Sequence, residues 1–338
     1  MTAPRLDAEA GLIALRAISE PTRLRTLMLL SSGELTVKDL TQVLGQSQPR
    51  ISRHLKLMHD AGLLTRVQEG SWVYFRLTDN PAPAALLQSL LSRFDANGYD
   101  FRRDRERAED IRRERFERAQ MFFAEHAGQW DRLRALHANE AEVERQICSL
   151  LDLEHGTLLV DMGTGTGRIL ELLAKRFERA IGVDTNQQML SYARARVQGP
   201  AYSNVQVRQG DICHLSLADD TADAVIMHQV LHYLPDPARA IKEAARILKA
   251  DGRALIVDFA AHTVERLRDE FAHQRLGFSN DQIEAWSKDA GLAVTFHEQL
   301  PPSKQAGVDG LTVSFWVVSK TGKAAIGETT ENHMEIAL

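Results

Sequence analysis

The sequence predicts a two-domain α+β chain: a small helical block closed by a strand pair, then an open α/β sheet. Three observations carry that prediction. Residues 1–95 hold short amphipathic helical stretches followed by two β-rich runs. Residues 156–320 alternate short apolar runs with amphipathic stretches, the rhythm of a parallel sheet. Within that second block the run at 158–162 ends in Asp161 and is followed by Gly163, Gly165 and Gly167 alternating with threonines. A buried strand, a tight turn and a helix start of this kind bring the backbone close to a ligand.

The chain has 338 residues, 44% of them hydrophobic and 26% charged, as expected of a globular protein long enough for two domains. Cys148 and Cys213 stand far apart and form no CxxC, which fits a reducing cytoplasm and excludes a disulfide framework or a cysteine-rich metal site. The N-terminal segment has no signal-peptide core, and no apolar run approaches the ~18 residues that span a bilayer, so a cytoplasmic protein without a membrane partner is expected. The net charge of −5 is uneven. Residues 1–80 carry ten Lys/Arg against eight Asp/Glu, a net of +2, and are the only net-basic part. The expected organisation is 1–95, a DNA-binding and dimerisation domain; 96–150, a charged helical linker with the first helices of the next domain; 151–320, the sheet domain; and 321–338, a disordered polar tail.

In the first block, Thr36 and Asp39 form a capping-box-like start, and Leu40, Val43 and Leu44 give the helix a buried face before Gly45 ends it. Ser47 and Pro49 open a second helix, in which Ile51, Leu55 and Met58 recur at core spacing. Its opposite face presents Gln48, Arg50, Ser52, Arg53 and Lys56. Helix, short turn and helix with donors clustered early on the second helix is helix-turn-helix geometry for a major groove. A hairpin follows, 63–68 and 71–77 around Glu69-Gly70. The segment 102–118 holds eight arginines and six acids, with Arg102/Glu106, Arg105/Glu109 and Glu114/Arg118 four apart. Its small net charge favours a solvated spacer helix over a nucleic-acid arm.

In the second block, strands are expected at 158–162, 179–183, 205–209, 223–227, 253–259, 292–298 and 311–319. Helices are expected at 167–177, 186–197, 237–249 and 279–290. The last two strands are joined by a Pro/Gly loop without a helix and should therefore be antiparallel neighbours. The glycine pattern is G-x-G-x-G: Arg168 occupies the third position of a dinucleotide fingerprint, and no Gly-Lys-Ser/Thr follows for a P-loop. Asp184, 23 residues beyond Asp161, ends a second apolar run where its carboxylate could take ribose hydroxyls. Candidates for acceptor chemistry past the later strand ends are His228, Gln229, His232, Tyr233 and Asp258. The spacing of His228 and His232 fits a helical metal pair, but Gln229 replaces the Glu of a zinc-protease motif, and no metal site is expected. Arg266, His273, Arg275 and Phe278 lie in an interruption at 260–280 that either covers the acceptor or packs as ordinary helix.

The ordered set VDMGTGTG, IGVD, QGD, MHQVLHYLPDP and LKADGRALIVDF resembles the class I S-adenosylmethionine-dependent methyltransferases, over residues 130–320. The branch it is most similar to contains the ubiquinone and menaquinone biosynthesis enzymes. The resemblance implies a Rossmann-like seven-stranded sheet with an antiparallel last strand and S-adenosyl-L-methionine as cofactor, S-adenosyl-L-homocysteine being product or effector. It implies that Gly163, Gly165 and Gly167 pack near the methionine moiety, Asp161 helps to position it, Asp184 holds the ribose, and Asp211 and Ile212 meet the adenine. His228 borders the same site, and His228, His232 and Tyr233 become the catalytic candidates. The phrases SEPTRLRTLMLL, SQPRISRHLKLMHDAGLL and EGSWVYFRL resemble the ArsR/SmtB-type winged-helix repressors. That likeness implies a homodimer through 8–18 and 82–95, a double-stranded DNA operator, and Gln48, Arg50, Ser52, Arg53 and His54 facing it. Metal-sensing members carry cysteines in the helix that begins here at Thr36, where this chain has Thr36 and Lys38; its few cysteines also set it apart from arsenite-methylating relatives.

Two functions remain open at this level. One is a DNA-binding regulator whose second domain methylates a small-molecule acceptor. The other is a regulator that uses the methyltransferase fold only to sense S-adenosylmethionine or S-adenosylhomocysteine.

Overall fold

Asp7 caps the first helix of the chain, α1 (Ala8–Ile18), by accepting the Ala10 N–H at 2.8 Å. The structure, a computed structural model, describes residues 5–69, 72–78, 80–130, 139–151, 156–302 and 310–321. Pro21 in its first turn opens α2 (Pro21–Leu30), and β1 (Leu35–Thr36) runs straight into α3 (Val37–Leu44). The capping box expected at Thr36 is present: Asp39 N–H donates to the Thr36 hydroxyl, and the Thr36 N–H donates to the Asp39 carboxylate. Gly45, at φ 64°, ends α3 in the left-handed region, and α4 (Gln48–Asp60) follows. Ser47 stands at the N-cap of α4, but its hydroxyl makes no capping bond. Strands β2 (Leu64–Glu69) and β3 (Trp72–Leu77) pair antiparallel, β1 joins the free edge of β3, and α5 (Pro81–Leu91) closes the block. The core of this block gathers Leu27, Leu40, Val43, Ile51, Leu55, Met58 and Leu87, all fully buried.

The charged segment corrects the expectation of a solvated spacer. Helix α6 (Tyr99–His126) runs 28 residues. One stripe along it, Asp104, Ala108, Ile111 and Ala119, is buried. Ala108 and Ile111 belong to the core of the N-terminal block, and Asp104 takes a bidentate pair from Arg25 at 2.6 Å. The small residues let the helix lie close, while its arginines elsewhere stay in water, so composition alone masked the contact face.

The second block contains α7 (Glu140–Leu150), β4 (Gly156–Met162), α8 (Arg168–Leu173), β5 (Phe177–Asp184), α9 (Gln187–Arg196), β6 (Val205–Gln209), β7 (Ala222–His228), α10 (Pro237–Ile247), β8 (Leu248–Phe259), α11 (Arg266–Glu270), α12 (Asn280–Asp289), β9 (Leu292–Leu300) and β10 (Val313–Lys320). The strand order is β6-β5-β4-β7-β8-β10-β9, with β10 antiparallel to both neighbours and the first five strands parallel. This is the seven-stranded sheet expected, each expected strand lying within two residues of an observed one except at the start of β8. Apolar side chains on the two faces build two cores. The order reverses between β4 and β7, which puts a crevice at their carboxyl ends. The tail expected at 321–338 lies outside the described residues from 322 onward.

The interruption at 260–280 does not cover the crevice. Phe278 is buried in the sheet core against Trp286. Arg275 is drawn to the N-terminal block, where it pairs with Glu34 at 2.9 Å and lies 3.9 Å from the Tyr74 ring centroid. His273 is buried near Tyr233, and Arg266 is exposed beside Glu270. The carboxylate of Glu34, just before β1, and the Tyr74 ring on β3 give this segment a partner that local sequence does not show.

Candidate functional site

The glycine loop is built by close approach. Gly163 has φ 81°, and a Cβ there would lie 2.3 Å from Val230 Cγ2; at Gly167, φ 79°, a Cβ would lie 3.0 Å from the Ala193 Cα. Side chains are excluded at both positions, so the backbone between β4 and α8 sits tight against β7 and α9. The cleft beside it has a cavity volume of about 110 Å³ and opens to solvent on one side.

Of the cofactor residues expected, Gly163, Gly165, Asp184, Asp211, Ile212 and His228 line this cleft. Asp161 and Gly167 do not. Asp161 is buried behind the loop and accepts the Thr164 hydroxyl at 2.6 Å, holding the loop from below, and Gly167 is the N-cap of α8. Asp184 ends β5 half-buried; its Oδ2 accepts the Gly165 N–H at 2.9 Å and its Oδ1 the Asn186 N–H at 2.8 Å. Burial pushes its carboxyl above the ordinary 3.8, against the pull of those backbone donors. Asp211 accepts from Cys213 N–H at 2.8 Å, and burial beside it pushes the Cys213 thiol up to about 12.

The three catalytic candidates separate. His228, at the end of β7, and Tyr233 line the cleft; His232 does not. His232 is 1% exposed, and its Nδ1 lies 2.6 Å from Asp258 Oδ1, which is itself fully buried. No helix joins His228 and His232: a strand end, a residue with positive φ (Gln229, 49°) and a short 3-10 turn intervene. The spacing thus has no helical meaning here. Tyr233 Oη lies 3.5 Å from His273 Nε2, and its ring meets Phe123 edge-on at 4.7 Å.

Several lining residues escaped sequence reasoning. Gln120, Phe123 and Trp130 reach the cleft from α6 and the turn after it, and Thr185 and Met189 from the start of α9. The aromatic cluster of Phe122, Phe123 and Trp130 at the end of an arginine-rich helix is a signal for Phe123 and Trp130; nothing local marks Gln120, Thr185 or Met189. Arg168 also borders the cleft, but Glu144 and Glu171 hold its guanidinium at 2.6–2.7 Å.

On α4, Gln48, Arg50, Ser52 and Arg53 are exposed together, as a groove-reading face requires. His54 is the exception. Its ring is largely covered, 3.9 Å from Glu20, and burial pushes it below the ordinary 6.5. Leu57 is 45% exposed on the same helix.

Comparison with known proteins agrees with both halves. The family model for bacterial regulatory protein, arsR family, matches residues 20–66, and the model for a methyltransferase domain matches residues 160–256. The chain is 49% identical over 72 residues to the arsenical resistance operon repressor of Escherichia coli, covering 21% of this chain and 62% of that protein. It is 31% identical over 160 residues to the demethylmenaquinone methyltransferase of Thermobifida fusca, covering 42% of this chain and 68% of that one. A solved chain from the complex of the Haloferax volcanii Trm112 methyltransferase activator with a methyltransferase shares the fold at TM-score 0.50 and 22% identity, over 59% of this chain and 98% of that one. The chain spans about half the length of the first curated relatives it matches. Its N-terminal block is similar to the arsR family of bacterial regulatory proteins, and through its seven-stranded sheet the chain belongs to the methyltransferase-domain family.

Proposed function

We propose that this protein is a transcriptional regulator that binds a double-stranded DNA operator and also transfers a methyl group from S-adenosyl-L-methionine to a small-molecule acceptor. The observation that carries the reading is a single cleft, at the reversal of strand order, that gathers the glycine loop, Asp184, Asp211 and Ile212.

The donor set fits an adenosyl sulfonium. Asp184 would accept from the ribose hydroxyls, Asp211 from the adenine amino group, and Ile212 and Met189 offer apolar walls to a flat base. Gly163 and Gly165 leave bare backbone for the methionine part. Arg168, the one Lys or Arg side chain in the lining among the described residues, is neutralised by two glutamates, which suits a positively charged ligand. When bound, S-adenosyl-L-methionine supplies an activated methyl group, so positioning by the chain contributes most of the catalysis. Phe123, Trp130 and Tyr233 close one side and exclude water. For an acceptor that keeps its proton at neutral pH, the Tyr233 hydroxyl beside His273 Nε2 offers a path for that proton away from the cleft.

The operator-reading face is Gln48, Arg50, Ser52 and Arg53. Leu12, Ile13 and Leu15 of α1, each about half exposed, support a homodimer through the N-terminal block, and a DNA operator as target supports a cytoplasmic location. Calorimetry with S-adenosyl-L-homocysteine, followed by transfer of labelled methyl groups into a small-molecule cell extract, tests the reading. Binding and transfer lost in Asp184→Ala support it; no binding to the native chain overturns it. A second reading, a sensor without turnover, is favoured by α6, which touches both the DNA-reading block and the cleft; binding without any transfer would select it.

A further inference from the structure

We propose that Gln120 is a positioning residue for the nucleoside, and that α6, which carries it, makes the cleft and the DNA-reading helices respond to each other. The proposal rests on the adenosyl reading of the cleft given above.

Gln120 lies outside the sheet domain's own strands and loops, yet it braces the turn that presents Asp184. Its Nε2 donates to Thr185 Oγ1 at 3.0 Å. Asn186 Nδ2 donates to both the Gln120 carbonyl and its Oε1, each at 3.0 Å. Asn186 in turn caps α9 by accepting the Met189 N–H and gives its own N–H to Asp184. The side chain thus fixes residues 184–186 from one side, as the Gly165 N–H does from the other. Because Gln120 also lines the cleft, a ligand whose ribose engages Asp184 must settle against this brace.

The same helix is fastened to the DNA-reading block one and a half turns earlier. Arg115 pairs with Asp39, the carboxylate of the capping box that starts α3. Arg107 donates to the Val43 carbonyl at 3.1 Å, and Asp104 holds Arg25 of α2. Arg115 and Gln120 are five residues apart on an unbroken helix, about 7.5 Å along its axis. A shift of α6 large enough to reseat Gln120 therefore moves the Asp39 anchor of the helix pair that presents Arg50 and Arg53. A ligand that favours one position of α6 must bias DNA affinity, and DNA must bias ligand affinity by the same factor.

The test uses the full chain, S-adenosyl-L-homocysteine, and a DNA duplex selected from random sequence by binding to that chain. Calorimetry gives the ligand Kd, and fluorescence anisotropy gives the duplex Kd with and without saturating ligand. In the native chain the ligand should change the duplex Kd by about fivefold or more. Gln120→Leu should weaken the ligand by about tenfold, the loss of roughly one to two hydrogen bonds in a part-buried site. Gln120→Asn keeps the amide but is a methylene too short to reach Thr185, and should show a smaller loss in the same direction. Arg115→Gln combined with Asp39→Asn removes both charges, so that neither is left buried alone. That double variant should keep ligand affinity within about twofold while the ligand no longer changes the duplex Kd. Native ligand affinity in both Gln120 variants, absence of coupling in the native chain, or native coupling in the double variant would overturn the proposal. No ligand binding to the native chain would instead overturn the adenosyl reading on which it stands.

Discussion

Arg275 and Glu34, 241 residues apart, meet at 2.9 Å with the arginine side chain 2% exposed. The pair ties the interruption after β8 to the N-terminal block, and Tyr74 Oη adds a bond to the Gln274 carbonyl at 3.0 Å beside it. Removing Arg275 takes the close partner from the largely buried Glu34 and leaves it Arg76 at 4.0 Å. Arg275→Ala should therefore destabilise the chain by about 3 kcal/mol, while Arg275→Met with Glu34→Gln should cost far less. Denaturant midpoints with fitted slopes measure both, and equal losses in the two variants would contradict a charge-pair origin.

Asp184 should make ligand binding sensitive to acid. On the proposed adenosyl reading the ribose hydroxyls would take the ionised carboxylate as acceptor, and burial holds this carboxyl above 3.8. Affinity for S-adenosyl-L-homocysteine should fall about tenfold per pH unit once pH drops below that raised value, earlier than for an ordinary aspartate. Stability has the opposite sign. A carboxyl raised in the fold favours the folded state fully below 3.8, and that contribution is lost as pH rises through the raised value. Asp184→Asn should flatten the pH dependence of binding at a much weaker affinity; a titration that keeps the native slope would assign the effect elsewhere.

The face of α4 gives a prediction that divides neighbours. Arg53→Ala should weaken the selected duplex by about 1–3 kcal/mol and relax preference at the contacted base pair. His54, covered and beside Glu20, should act differently. His54→Ala should leave sequence preference intact and lower the melting temperature. Competition against random duplex reads the first effect and thermal unfolding the second; specificity lost only in the His54 variant would invert the assignment.

How far the sequence carried these conclusions can be seen in single residues. Strand ends were legible because Asp161, Asp184 and His228 each close an apolar run, and apolar periodicity is a local property. The α4 face was legible for the same reason: Ile51, Leu55 and Met58 define what lies opposite. Gln120 was not, since nothing in its neighbourhood marks which side of α6 meets a sheet domain packed far away in sequence. Arg275 was misplaced because its partner, Glu34, belongs to the other block, and a long-range ion pair leaves no periodic trace. His232 lies past a strand end, the ground for counting it a candidate, but a positive φ at Gln229 turns the chain and sets its ring against Asp258 instead of in the cleft.

His232 yields the last prediction. Asp258, fully buried, receives the N–H groups of Leu231 at 3.0 Å, His232 at 3.3 Å and Phe259 at 2.8 Å, in addition to the imidazole contact. Four donors on one carboxylate make the pair the clamp of the turn that aims His228 and Tyr233 at the cleft. Asp258→Asn presents an NH2 group to that set, leaves donors unmatched, and should cost about 3 kcal/mol of stability. If His232 were the general base, His232→Gln would abolish methyl transfer and remove a limb of the pH–rate profile at unchanged ligand affinity. As a clamp residue it should instead lower transfer only in proportion to lost stability and weakened ligand binding, with the pH–rate profile keeping its native shape. The two outcomes separate in a single comparison of transfer rate and ligand Kd across pH.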